Sequence, residues 1–134
     1  MYMKKIIVFL AVSLLLITSC KNGDGVMTCK NGVYTINTTE IGKEIEGFNG
    51  ATPLLITNED NKISKIEILE NEETPRFLER AEKGIFPTLI GRTPHSLQYD
   101  EIDAVSGATY SSEALIANLR LGIKYYLEHR SVRP

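Results

Sequence analysis

A chain of 134 residues, with 15 Lys and Arg against 17 Asp and Glu and a formal charge of −2, is long enough for one compact domain and too short for two. The near-neutral balance, the lack of tryptophan and the absence of a basic patch interleaved with aromatics argue against a nucleic-acid partner. No Cys-x-x-Cys-His sequence exists to attach haem.

Lys4 and Lys5 precede an apolar run over residues 6–17 that ends in Ile17-Thr18-Ser19-Cys20. The run is too short for a comfortable membrane span. Charge, run length and the small residues before the cysteine predict a lipoprotein signal peptide over residues 1–19, cleaved so that a lipidated Cys20 becomes the first residue. A membrane helix with an incidental cysteine is the alternative. Several acyl chains, at about 0.8 kcal/mol per buried methylene, make a stable anchor. Losing Lys4 and Lys5 takes the basic count from 15 to 13 against 17 acidic residues, a formal charge of −4. Cys29 is then the remaining thiol, expected to have no partner within the chain and so no disulfide.

Residues 20–32 are rich in Lys, Asn, Gly, Asp and Thr, the composition of a flexible tether, which leaves residues 33–134 for the folded domain. A first strand is predicted over 33–37. Two more, over 54–57 and 63–69, flank the turn-rich Asn58-Glu59-Asp60-Asn61-Lys62 and form an antiparallel hairpin with one buried face, on which Ile66 and Ile68 alternate with Lys65 and Glu67. Thr74 and Pro75 suit the cap and first position of a short helix whose Phe77, Leu78 and Ala81 share a face and which Gly84 ends. Pro87, Gly91 and Pro94 make 85–100 an irregular connection with at most a brief strand or turn of helix. The last helix, over 112–129, carries Leu115, Ile116, Leu119, Gly122, Ile123, Tyr126 and Leu127 on one stripe and Glu113, Asn118, Arg120, Lys124 and Glu128 opposite. Gly122 on the apolar stripe predicts close approach of another backbone. The fold class is α+β: a small, mainly antiparallel sheet packed against the C-terminal helix and a shorter helix, in a single domain.

Asp103-Ala104-Val105-Ser106-Gly107-Ala108-Thr109 places a threonine hydroxyl on a tight loop of small residues just before that helix. Gly107 and Ala108 leave the backbone open, and the helix start turns unpaired amides and a positive dipole end toward whatever Thr109 carries, which suits a phosphate. An ordinary turn into a helix cap has the same composition.

The stretch resembles the flavinylation motif of the FMN-binding domain family, a domain found in one subunit of the sodium-translocating NADH:quinone reductase and in its counterpart in the Rnf electron-transport complexes. The resemblance implies that FMN is esterified through its phosphate to Thr109, with Asp103, Ser106, Gly107 and Ala108 matching the motif and Ala104 standing where many members have glycine. Gly47-Phe48-Asn49-Gly50-Ala51-Thr52-Pro53 and Glu73-Thr74-Pro75 resemble the family's glycine-containing entry and its Glu-Thr-Pro segment beside the flavin. Arg76 replaces the glycine that commonly follows, which implies more basic or differently shaped surroundings. Together these matches run from about residue 47 to 127. Glu73 and Thr74 are implied as polar contacts of the flavin and Pro75 as packing on it; a capped helix start is the other reading of the three. Tyr110 either stacks on the ring or, the commoner role, fills the core under the loop.

No histidine or lysine adjoins Thr109 in sequence to activate it, so self-attachment is disfavoured. The resemblance implies a flavin transferase that uses FAD and a divalent metal and releases AMP. Asp103 engages that enzyme or fixes the turn. His95 and His129 are isolated, the acidic run at 70–73 reads as a solvated loop before a helix, and Ser106, Ser111 and Ser112 lack a base, so neither a metal site nor a catalytic residue is expected. The absence of a nicotinamide-binding glycine motif argues against NADH oxidation by this chain alone. The function expected is a lipid-anchored, extracytoplasmic electron-transfer flavoprotein of the bacterial cell envelope rather than a self-sufficient enzyme, exchanging electrons with membrane-bound partners. The alternatives are a lipoprotein that binds flavin or another small ligand without a covalent bond, and an assembly subunit of a membrane redox complex.

Overall fold

The computed structural model describes residues 24–130. The expected signal peptide over 1–19 and the lipidation site Cys20 lie outside the described residues. Two hairpins build the sheet. Strands β1 (Met27–Lys30) and β2 (Val33–Asn37) are joined by Asn31 and Gly32 at φ 53° and 80°, and β3 (Leu54–Glu59) and β4 (Lys62–Ile68) by Asp60 and Asn61 at φ 52° and 58°. Both two-residue turns have the paired positive φ that matches strand twist and that Asn, Asp and Gly tolerate. β2 pairs antiparallel with β3, Ile36 opposite Ile56, so the four strands lie in chain order.

The tether expected over 20–32 is corrected by β1: half-buried Met27 and Cys29 alternate with exposed Thr28 and Lys30, and all four pair with β2. The short, mostly polar alternation concealed the strand. Cys29, expected to have no intrachain partner, is disulfide-bonded. The start of the described chain is also fastened. Asp24 Oδ1 accepts from the amides of Val26 (3.0 Å) and Met27 (2.9 Å), and its Oδ2 accepts from the Tyr125 hydroxyl. These bonds, the Tyr125 hydroxyl foremost, hold the Asp24 carboxyl down to about 2.

In β4 the buried residues are Ile63 and Ile66, three apart rather than two, while Ile68 is only half-buried. A register shift between Thr57 and Asn58 adds a residue to β4 and so keeps both isoleucines inward.

Three helices cover one face of the sheet: α1 (Pro75–Leu89), α2 (Pro94–Tyr99) and α3 (Thr109–His129). α1 does not end at Gly84. A Cβ at Gly84 would stand 2.5 Å from Val105 Cγ2, so the glycine admits a neighbouring loop, and burial of Ile85, Phe86 and Leu89 favours helix beyond it. Pro87 and Lys83, whose carbonyl would have received the missing bond, are both exposed. Nor does the Thr74 side chain cap α1; its Oγ1 accepts from Asn49 Nδ2 instead. In the connection after α1, Gly91 and Arg92 exchange backbone bonds with Ile63 and cover part of the β4 edge. Thr93 then caps α2 by accepting from the Ser96 amide.

α3 begins three residues earlier than its apolar stripe suggested, on Thr109 itself. Leu115, Leu119, Ile123 and Tyr126 join Ile36, Leu54, Ile56 and Ile63 of the sheet and Leu78, Ile85 and Leu89 of α1 in one core. The close approach at Gly122 is made by side chains, since a Cβ there would meet Ile56 Cδ1 at 2.6 Å and Thr38 Cγ2 at 3.0 Å. Asn118, expected on the wet side, is fully buried. Its Oδ1 accepts from Thr38 Oγ1 (3.1 Å), and its Nδ2 donates to Thr52 Oγ1 (3.2 Å) and the Ala114 carbonyl (3.1 Å). It thereby pins both ends of the long β2–β3 connection. Arg120 is drawn inward too, donating to the carbonyls of Leu97, Gln98 and Asp100 at the end of α2. The architecture is α+β in a single domain, and no helix among the described residues is long and apolar enough to cross a membrane.

Candidate functional site

The turn before α3 is built by its own backbone. Ala108 N donates to the Val105 carbonyl at 3.0 Å across Ser106 and Gly107, with Gly107 at φ 82°, a value glycine reaches without steric cost. The Ser112 hydroxyl accepts from Val105 N at 3.0 Å and closes the loop from the helix side. Ser112 N makes the first intrahelical bond, to the Ala108 carbonyl at 2.9 Å. The amides of Thr109, Tyr110 and Ser111 therefore fall in the first turn, where a helix offers no carbonyl to receive them. The capping position is Ala108, which has no side-chain acceptor. An alanine cap forgoes about 1 kcal/mol relative to Ser, Thr or Asp, and leaves room for an external anion.

Thr109 is exposed at this helix start and borders a cleft of about 330 Å³ lined by Phe48, Phe77, Gly107, Ala108, Thr109, Tyr110 and Ser111. Its aromatic walls are unusually open. Phe48 and Tyr110 are each 67% exposed and Phe77 is 37% exposed, and the rings of Phe48 and Tyr110 face each other at 6.0 Å with a 50° tilt. Tyr110 thus does not fill the core, and Phe77 leaves the buried face of α1 to line the cleft. Clustered exposed aromatics mark a binding surface.

Glu73 and Thr74 work one layer back. Glu73 is 6% exposed; its Oε2 accepts from Asn49 N at 3.1 Å, and its Oε1 has no hydrogen-bond partner among the described residues. A Cβ at Gly47 would lie 1.7 Å from that Oε1, so only glycine lets the chain pass over the carboxylate. With the Asn49–Thr74 side-chain bond at 3.2 Å, these contacts fix residues 47–50 and hence Phe48. Pro75 is the exposed first residue of α1. Ser106 and Asp103 are exposed beside the cleft rather than in its lining, and Asp103 borders a separate hollow with Gly84, Thr88 and Arg92.

The motif therefore brings Gly107, Ala108 and Thr109 into the cleft, while Glu73 and Thr74 support its wall. Sequence reasoning missed Phe48 as a wall and Arg80 as a neighbour. Arg76 lies over the Phe77 ring, 5.6 Å from its centroid, and Arg80 Nη1 would stand 3.0 Å from a Cβ at Gly107. The one available signal was the i, i+4 spacing of the two arginines on a helix already suspected of lying at the site. The histidines have local roles: His95 packs edge-on against Tyr99, and His129 stacks on Tyr125.

A family described as the FMN-binding domain matches residues 47–124, which spans the Phe48 loop, the Glu73–Pro75 segment, Thr109 and most of α3. No curated protein and no solved structure matches the chain.

Proposed function

Because the chain belongs to the FMN-binding domain family, we propose that it carries FMN as a phosphoester on Thr109, is held at the membrane by a lipidated Cys20, and relays electrons outside the cytoplasm between membrane redox partners. The observation that carries the covalent reading is the exposed Thr109 hydroxyl on the first residue of α3, at the mouth of an aromatic cleft.

The residues suit the group. The uncapped amides of α3 receive a phosphate charge, and Gly107 lets it approach the backbone. Phe48, Phe77 and Tyr110 offer rings against which a planar heterocycle excludes water. Glu73, one layer behind the cleft, accepts from Asn49 N and so holds the loop that carries Phe48 against the ligand. Bound flavin supplies the redox chemistry, and the protein supplies position and shielding.

Attachment needs a second enzyme, because among the described residues no histidine or lysine lines the cleft to activate the hydroxyl. In that step the Thr109 oxygen bonds to the FMN-side phosphorus of FAD, the phosphoanhydride bond breaks, AMP leaves, and the hydroxyl proton passes to a base of the transferase. The transferase also holds the divalent metal.

The reading of an anchored carrier is supported by the fastening of Asp24 to Tyr125, sixteen residues along α3 from Thr109, roughly 24 Å at 1.5 Å per residue. A lipid on Cys20 then tethers the domain by the end of α3 remote from the cleft and leaves the cleft open to a partner. Co-expression with a flavin transferase tests the reading: the expected product is a fluorescent band that survives denaturing gel electrophoresis and is lost in Thr109→Ala. A Thr109→Ala protein that keeps the band refutes the acceptor. The intact mass of protein from its own cell tests the anchor, because acylation at Cys20 adds the mass of its lipid chains. Native protein without added acyl mass refutes it.

A further inference from the structure

We propose, resting on the reading of Thr109 as phosphate bearer, that Arg80 is the cationic partner of that phosphate and makes the site selective for a phosphorylated ligand. Three guanidinium atoms of Arg80 crowd the same spot: Nη1, Cζ and Nε would lie 3.0, 3.5 and 3.9 Å from a Cβ at Gly107, two residues before Thr109. A side chain at Gly107 displaces either itself or the guanidinium, so the glycine and the arginine form one feature.

Arg80 stands apart from the other described arginines by what it lacks. Arg92 is paired with Asp100, Lys83 with Glu79 and Lys65 with Glu67. Arg120 is spent on three carbonyls, Arg130 donates to Asn61, and Arg76 covers the Phe77 ring. Among the described residues nothing anionic is bonded to Arg80. Arg76 and Arg80 are like charges one turn apart on α1. The Arg80 guanidinium meets, at Gly107, the uncapped start of α3. The first-turn amides of α3 and the Arg80 guanidinium thus present donors to an anion at one turn. A phosphate oxygen answers this geometry, because the fork of guanidinium donors matches it.

Inorganic phosphate and a flavin phosphate offer the same oxygens, so the experiment uses both. Thermal melts of the full chain without flavin are compared in phosphate and in chloride at equal ionic strength, for wild type, Arg80→Gln and Arg80→Lys. Phosphate at tenfold its dissociation constant is expected to raise the wild-type melting temperature by about 5–10 °C beyond its general salting effect. Arg80→Gln is expected to retain only that general effect, and Arg80→Lys part of the specific one. The melts are repeated on flavinylated protein, where the rise on flavin attachment is expected to shrink in Arg80→Gln and the phosphorus NMR signal of the diester to move. Equal phosphate responses in wild type and Arg80→Gln, or a flavin-dependent rise and phosphorus signal that ignore the substitution, overturn the proposal. Failure of the reading of Thr109 looks different: wild type stays colourless beside an active transferase while its phosphate response still depends on Arg80.

Discussion

Replacing Asn118 by alanine tests the link between the buried polar network and the site. The substitution removes the acceptor of Thr38 Oγ1 and the donor to Thr52 Oγ1, both on residues with no exposure. An orphaned buried polar group costs about 1–3 kcal/mol. Partial compensation is available to Thr38, which also accepts from Leu54 N at 2.8 Å, and to Thr52 by hydroxyl rotation, so about 2–4 kcal/mol is expected in total, including the small cavity. For a domain of this size that corresponds to a fall in melting temperature of about 10–25 °C. Urea unfolding should show the loss as a lower midpoint with an unchanged slope. Because Thr38 and Thr52 bracket the connection that carries Phe48, limited proteolysis between them should accelerate in the variant under native conditions. A loss below about 0.5 kcal/mol, the size of an ordinary surface substitution, would refute this account of Asn118.

Two further outcomes follow from named contacts. The Asp24 carboxyl is depressed from 3.8 to about 2 in the folded protein, so its contribution to stability is present above about pH 4 and is lost as pH falls toward 2. Tyr125→Phe should return Asp24 toward 3.8 in a carboxyl NMR titration while costing under about 1 kcal/mol, because both groups are solvent-screened; an unmoved titration contradicts the bond. Phe48→Ala and Tyr110→Ala should leave covalent flavin on Thr109 but expose it, with iodide quenching of its fluorescence rising at least about twofold. Quenching equal to wild type excludes these rings as walls.

Much of the architecture was readable along the chain, because turns and strands depend on neighbours in sequence. β2 falls on its predicted residues, and the β3–β4 hairpin follows from Asp60-Asn61 between alternating strands. Asn31-Gly32 carried the same message for β1, although polar composition masked it. The motif at 103–109 pointed to Thr109 because small residues before a helix are a local property.

Other features depend on what arrives from elsewhere in the chain. Gly84 is a helix stop by local rules and an interior residue in fact, because Val105 needs its space. Asn118 lies among polar neighbours on a helical wheel, yet Thr38 and Thr52 supply the bonds that make its burial affordable. Phe48, Phe77 and Arg80 meet the Thr109 turn only because α1 packs on α3 and Glu73 holds the 47–50 loop in place. Sequence by itself determined where the chain turns, alternates and offers a hydroxyl. Only the tertiary structure decided which distant side chains surround that hydroxyl, since periodicity describes a residue's face and not the partner that covers it.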